Sequence, residues 1–587
     1  MVSARHSQGS VVSTLGLLTA MGVFGMALFG CSAANSDEAA LSGGEGPPSA
    51  AGGTFSGGSG TGGGAGTGFG TGGSAGTGGM APPGAGGAAG GSNVSLGGAQ
   101  DCGYFRTLLD ARQVPRPGDC DASGFFAEHH TKLPPPSCGK RVCLQPMLGV
   151  MGNLLDGKNC TMLHVGLNSP LEANPGSRPP LTLAVVVDTS GSMADQDKIG
   201  FVRQGLGQLI DGLKDGDRFA LITYSDAVQT RFPMADITLN RAAVRTITDS
   251  LAAAGSTNFH GGLEAGYREV LANYDSGRQN RVIMMSDGMP TAGNTSEADI
   301  ISMSRAYNSD GIGLTTIGLG TAFNVNLMRN LALQADGNFY FLENSGAVSE
   351  VFTEELSYFT VPVAFDLKLN FTTGSHYTFG RAYGSPLWKD TPTGGLLEVS
   401  SVFIAHRERP DDVTPGGGRR GGGSALIIEV APKSSQDDGS GLTSAEVATI
   451  GVEFREPGTN SPVTDTVQVS FPFAPWLTPE RGYFGSTDLA AVQKSFVMLN
   501  IFFGLDRAVT MFHKADRTAA DGTQAVMQLD RLLAAVKDYN AELNQGQGDT
   551  DITFDIALLE KLRLVMLERG ITAPTDSGIP NDPWPAD

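Results

Sequence analysis

Leu181-Thr-Leu-Ala-Val-Val-Val-Asp188-Thr-Ser190-Gly-Ser192-Met193 is the stretch that decides the fold. Leu181 to Val187 is short, rich in β-branched residues and free of charge, the pattern of a parallel strand buried on both faces. It stops at Asp-x-Ser-x-Ser, which crowds one carboxylate and two hydroxyls onto a single turn. Open α/β sheets bind ligands beyond the carboxyl ends of their strands, so this oxygen cluster falls where a site belongs. Such donors suit a hard divalent cation, Mg²⁺ first, with Mn²⁺ or Ca²⁺ as alternatives. The competing reading is a Ser-rich turn that merely caps the next helix.

Two further stretches decide between these readings. Gly255-Ser256-Thr257-Asn258 lies between helical patterns and offers a third hydroxyl. Arg281-Val-Ile-Met-Met-Ser286-Asp287-Gly288-Met289-Pro290 is a second buried strand that also ends in an aspartate. Together Asp188, Ser190, Ser192, Thr257 and Asp287 resemble the metal-ion-dependent adhesion site of von Willebrand factor A domains, as in integrin I domains. The resemblance covers roughly residues 180 to 357 and implies a doubly wound, Rossmann-like α/β domain. It also implies that Ser190, Ser192 and Thr257 hold the metal directly, while Asp188 and Asp287 act mainly through bound waters.

The periodicity of the same region fits. Amphipathic stripes predict helices at 196–213, 241–251, 262–274, 325–335 and 347–356. Strands are expected at 218–224, 281–286, 313–320 and 337–341, with 227–232 as an edge.

With 587 residues the chain exceeds a single core, and its 82 glycines mark part of it as non-globular. A net charge of −20 argues against nucleic acid or an anionic membrane surface as a partner, since phosphate binding requires a basic patch. Arg419-Arg420 is a conspicuous basic doublet, and glycines on both sides make it read as a flexible hairpin tip.

At the amino terminus a positive start and an apolar run from about Val11 to Phe29 precede Gly30-Cys31, a secretory signal pattern. Cys31 after Gly30 resembles the lipobox of bacterial lipoproteins, which implies a lipid anchor on Cys31. Ser32 after it suggests the outer membrane. Residues 31–99 read as a Gly/Ser/Ala-rich disordered tether. About 55 such residues span roughly 40 Å.

Cys102, Cys120, Cys138, Cys143 and Cys160 are confined to residues 100–178, which reads as a small disulfide-stapled module of an exported chain. Five is odd, so two bridges and one spare thiol are expected, with the pairing open. Zinc is the weaker reading, because the Cys spacing is wide and His129-His130 lacks helical ligand spacing.

After Pro362 the pattern turns to period-two strands, giving an antiparallel sandwich-like domain over 361–475. Some of its strands return to pair near the chain before Pro180. A helical hairpin or bundle follows over 486–570, then a flexible tail over 571–587. The apolar run Phe496 to Phe503 lies between Lys494 and Asp506 and is too short to span a bilayer, so it reads as core.

Functionally the pattern predicts an envelope-anchored, metal-dependent binding module whose partner protein offers an Asp or Glu carboxylate. His260, Met289 and Thr291 are expected at the rim. The alternative is a constitutive scaffold subunit of an envelope complex. No Gly-x-Ser-x-Gly elbow between a strand and a helix, no His-Glu-x-x-His and no Gly-Lys-Ser/Thr motif supports an enzyme.

Overall fold

The computed structural model describes residues 31, 92–171, 178–334, 337–355, 362–405, 407, 409–411, 413, 419–433, 442–485 and 489–575. The N-terminal apolar run, the tether up to residue 91 and the tail from 576 lie outside the described residues.

In chain order the first elements are β1 (Ser92–Ser95), β2 (Gly98–Ala99), α1 (Gly103–Asp110), α2 (Ala122–Ala127), β3 (Cys143–Gly152) and β4 (Asn159–Ser169). The central region is β5 (Leu181–Asp188), α3 (Lys198–Gly212), β6 (Arg218–Tyr224), β7 (Val228–Asp236), α4 (Arg241–Asp249) and α5 (Phe259–Ala272). It continues with β8 (Gln279–Ser286), α6 (Glu297–Ser309), β9 (Gly313–Leu319), α7 (Val325–Gln334), β10 (Asn338–Leu342) and α8 (Ser345–Ser349).

These strands build a seven-stranded sheet in the order β2-β10-β9-β8-β5-β6-β7. Its neighbours are parallel except at the β6–β7 edge. Alternation along β5 explains why that strand is apolar throughout. Leu183, Val185 and Val187 enter a core closed by Val202 and Leu206 of α3 and Val244 of α4. Ala184 and Val186 enter the opposite core, closed by Leu263 and Tyr267 of α5 and Leu331 of α7. Each large side chain so buried contributes about 1.5–3 kcal/mol. Gly266 lets α5 approach this closely, since a Cβ there would lie 2.4 Å from Val186 Cγ2.

None of the amphipathic stripes read from the sequence covers α6. Its apolar stripe is thin, with Ile300 and Ser304 its buried residues. Its start was nevertheless legible, with Ser296 capping Asp299 N and two acids in the first turn. The closing segment also departs from expectation, because α8 gives way to a π-helix over Glu350–Glu355.

The second sheet is antiparallel: β11 (Pro362–Thr373), β12 (Tyr377–Tyr383), β13 (Lys389–Thr391), β14 (Gly394–Ile404), β15 (Leu426–Pro432), β16 (Ala445–Arg455), β17 (Pro462–Phe471) and β18 (Tyr483–Gly485). Its path runs β12-β15-β4-β1-β14-β11-β16-β17, with β3 pairing β4. β1 pairs β4 on one side and β14 on the other, so it joins the two halves. Both halves contribute to one core, where Val150 and Leu163 meet Leu367, Ile428, Ile450 and Phe454.

The segment before Pro180 is therefore not a free-standing module. β3 and β4 belong to the antiparallel sheet, and β2 extends the parallel one. The expected tether likewise ends early, because buried strands begin at Ser92.

The cysteine reading needs correction as well. The structure bridges Cys31 to Cys160, Cys102 to Cys120 and Cys138 to Cys143, leaving no free cysteine among the described residues. The fifth cysteine of the 100–178 segment finds its partner in Cys31, and a sulfur held in that bridge is not available for a lipid thioether.

Three C-terminal helices, Leu489–His513, Ala519–Glu542 and Thr550–Glu568, pack together and against α1, α2 and β3. The first is long and apolar enough to cross a membrane, yet it is mostly buried inside the protein. Lys494 within it binds Asp549 and Asp551, each at 2.8 Å.

Arg419 and Arg420 are 3% and 0% exposed, so the doublet is not a flexible tip. Arg419 binds Asp555 at 2.8 Å, and Arg420 binds Asp101 at 2.8 Å and Glu350 of the π-helix. Arg407 joins the same region through Asp551 at 2.8 Å. His129, set aside as a zinc ligand, bonds Asp555 at 2.6 Å instead.

Candidate metal centre

The ends of β5 and β8 and the loop before α5 meet at one rim of the parallel sheet. β5 delivers Asp188, which is fully buried. The chain then turns, and Ser190 N donates to Asp188 Oδ1 at 2.8 Å. A 3₁₀ turn over Gly191–Asp197 carries Ser192 back toward the strand ends, where the Ser190 and Ser192 hydroxyls lie 3.2 Å apart.

Backbone hydrogen bonds dock the second loop on the first. Ala254 N donates to Thr189 O at 2.7 Å and Gly191 N to Gly255 O at 2.9 Å. Gly255 has φ +88°, a conformation that favours glycine, and its absent side chain leaves room for the Asp226 carboxylate. Thr257 is gripped by the third loop: its carbonyl accepts from Thr291 N and Ala292 N, and its N–H donates to Thr291 Oγ1 at 3.0 Å.

Asp287, at the end of β8 and fully buried, accepts from Ser192 Oγ at 2.8 Å on Oδ1. Gly288 forms the floor. A Cβ there would lie 3.5 Å from Thr257 Oγ1 and 3.9 Å from Ser192 Oγ, so these hydroxyls converge over a spot that a side chain would fill. All five residues anticipated from the sequence are thus brought to one rim.

The donor set is two carboxylates and three hydroxyls, all oxygen, which fits Mg²⁺ or a similar hard cation. The two acids differ in role. Asp188 has its oxygens engaged by Ser190 N on Oδ1 and by Ser286 Oγ (2.8 Å) and Tyr224 OH (3.2 Å) on Oδ2. Burial raises its pKa above the ordinary carboxylate value, although the Ser190 and Ser286 hydrogen bonds oppose this. Burial also raises the Tyr224 phenol well above its usual value, which keeps it a donor. Asp188 therefore orders the loop from below, whereas Asp287 faces Ser192.

Sequence reasoning missed Ser286, Tyr224 and Lys198. Lys198 Nζ lies 2.6 Å from Asp287 Oδ2 and 3.2 Å from Ser192 O. One local signal was available: a cation in the first turn of a helix opposes the macrodipole, so Lys198 needed a compensating anion nearby. Of the expected rim residues, Met289 is 46% exposed, His260 sits in the first turn of α5, and Thr291 braces Thr257.

Residues 182–354 match the family model of the von Willebrand factor type A domain, so the chain carries such a domain. "Uncharacterized protein YfbK" of Escherichia coli (strain K12) is 28% identical over 191 residues, 32% of this chain and 33% of that one. Inter-alpha-trypsin inhibitor heavy chain H1 of Sus scrofa is 32% identical over 160 residues, 26% of this chain and 18% of that one. The similarity thus spans a third or less of both relatives. Among solved structures, von Willebrand factor type A from Catenulispora acidiphila aligns with a TM-score of 0.43 at 13% identity, over 73% of this chain and 96% of that one. Domains of this type mediate metal-dependent protein–protein interaction.

Proposed function

We propose that this chain is an exported binding protein of the cell envelope that captures an acidic side chain of a partner protein through a divalent metal. The observation that carries the reading is the convergence of Ser192, Thr257 and Asp287 from three loops over Gly288. Ser190, Ser192 and Thr257 would hold the ion, with Asp188 and Asp287 behind them. When bound, the metal supplies positive charge that neutral hydroxyls leave largely unquenched, and so a docking point for a carboxylate. The protein's own residues set the geometry: Tyr224 and Ser286 orient Asp188, and Thr291 fixes Thr257. Export is supported by the three disulfides, which persist in oxidising compartments, and by the signal-like run before Cys31. A binding role, rather than a catalytic one, is supported by the donor set, whose neutral hydroxyls would activate a metal-bound water less than a zinc site does.

The test is capture from envelope extract in Mg²⁺ or EDTA, with wild type and Thr257→Ala. The expected result is a partner retained only by wild type in Mg²⁺, with Thr257→Ala folded but inert. Equal retention in EDTA would refute the metal-centred reading.

A further inference from the structure

The lysine at the metal centre is built in rather than incidental. Its side chain is 9% exposed, and its ammonium binds the Asp287 carboxylate at 2.6 Å and the Ser192 carbonyl at 3.2 Å. Gly320, at the end of β9 with φ +68°, makes room for it, since a Cβ there would lie 2.8 Å from Lys198 Cε. Lys198 begins the helix that follows the Ser190–Ser192 turn, so the same residue ties that turn to the end of β8.

We infer that Lys198 is a resident cation that ties the Ser190–Ser192 turn to the Asp287 loop without metal and makes metal and acidic ligand bind as a pair. This rests on the metal reading above. Asp188 and Asp287 alone would carry two negative charges, and Lys198 reduces this formally to one. A divalent ion then leaves one uncompensated positive charge, which a partner's carboxylate cancels. Without the lysine, the metal alone would neutralise the site and the carboxylate would add an unbalanced negative charge. A buried ammonium that shares Asp287 with a divalent cation repels it across a few ångströms of poorly screened space. The lysine therefore lowers affinity for bare metal and raises the value of an incoming acid. It also spares Asp287 from being a buried, unpaired charge when the metal is absent.

Titration calorimetry of the full chain with MgCl₂, with and without acetate as the carboxylate probe, tests this. Wild type should bind Mg²⁺ weakly, and acetate should tighten that binding about tenfold or more. Lys198→Met should bind Mg²⁺ alone at least about tenfold more tightly, and acetate should no longer help. Its melting temperature should fall in EDTA and recover in Mg²⁺. Equal or weaker Mg²⁺ affinity in Lys198→Met would overturn the inference while leaving the metal site intact. Absence of Mg²⁺ binding in both proteins would instead remove the metal reading. If Lys198→Met does not fold, the wild-type titration decides, and acetate without effect on its Mg²⁺ affinity would sink the coupling.

Discussion

Replacing Arg420 with Met is expected to loosen the junction between the A-type domain and the rest of the protein. The guanidinium is fully buried and binds Asp101 at 2.8 Å through Nε, Glu350 through one terminal nitrogen and Phe341 O at 2.7 Å through the other. Burial works against its charge, but the carboxylates of Asp101 and Glu350 overcome this and hold its pKa well above the ordinary value. Methionine fills part of the volume and leaves both acids buried. Asp101 keeps the Phe341 and Gly103 amides as donors, and Glu350 keeps the amide of residue 420. Breaking a buried pair from one side costs about 3–5 kcal/mol.

At about 1.4 kcal/mol per factor of ten, amide exchange across 345–355 should accelerate by about two to four powers of ten where reclosing is fast. Hydrogen exchange with mass spectrometry reads this directly. Adding Glu350→Gln to Arg420→Met should restore part of the protection, because the stranded charge is removed with its partner. Exchange within about threefold of wild type in the single variant would refute the argument that this network clamps the closing helix.

Two further outcomes are expected. Burial pushes the His164 pKa down to about 4 from 6.5 and that of His130 to about 3, so both are neutral in the fold and take up protons on unfolding. A depressed folded pKa gives stability present above pH 6.5 and lost as pH falls toward 4; for His164 the loss is about 3 kcal/mol. Urea melts of His164→Gln should therefore show a shallower decline between pH 6.5 and 4, and an unchanged slope would refute the assignment. For the cysteines, the mass of the secreted, unreduced protein should show three bridges, with a Cys31–Cys160 peptide after proteolysis. A lipid-bearing Cys31 with a free Cys160 thiol would overturn that pairing.

How much of this was legible beforehand depends on how local each feature is. The strand Leu181–Asp188 was readable because a continuous, β-branched-rich apolar run free of charge reports burial on both faces without reference to any partner. The helical character of 486–570 was legible because helical periodicity there persists over five or more turns in each of the three helices. α6 was missed because a helix that buries little apolar surface leaves little periodic signal. Arg420 was misread because its neighbours are glycines, while its partners lie 319 and 70 positions away.

By itself, the sequence determined most elements of the A-type domain, its strand–helix alternation and the five oxygen-bearing residues, because these follow from spacing along the chain. Only the tertiary structure decided that Lys198 shares Asp287, that Cys31 meets Cys160, and that the segment before Pro180 is woven into both sheets. The physical reason is desolvation. A charge or thiol in sequence resembles every other of its kind, and what it must pair with is fixed only when packing takes water away from it.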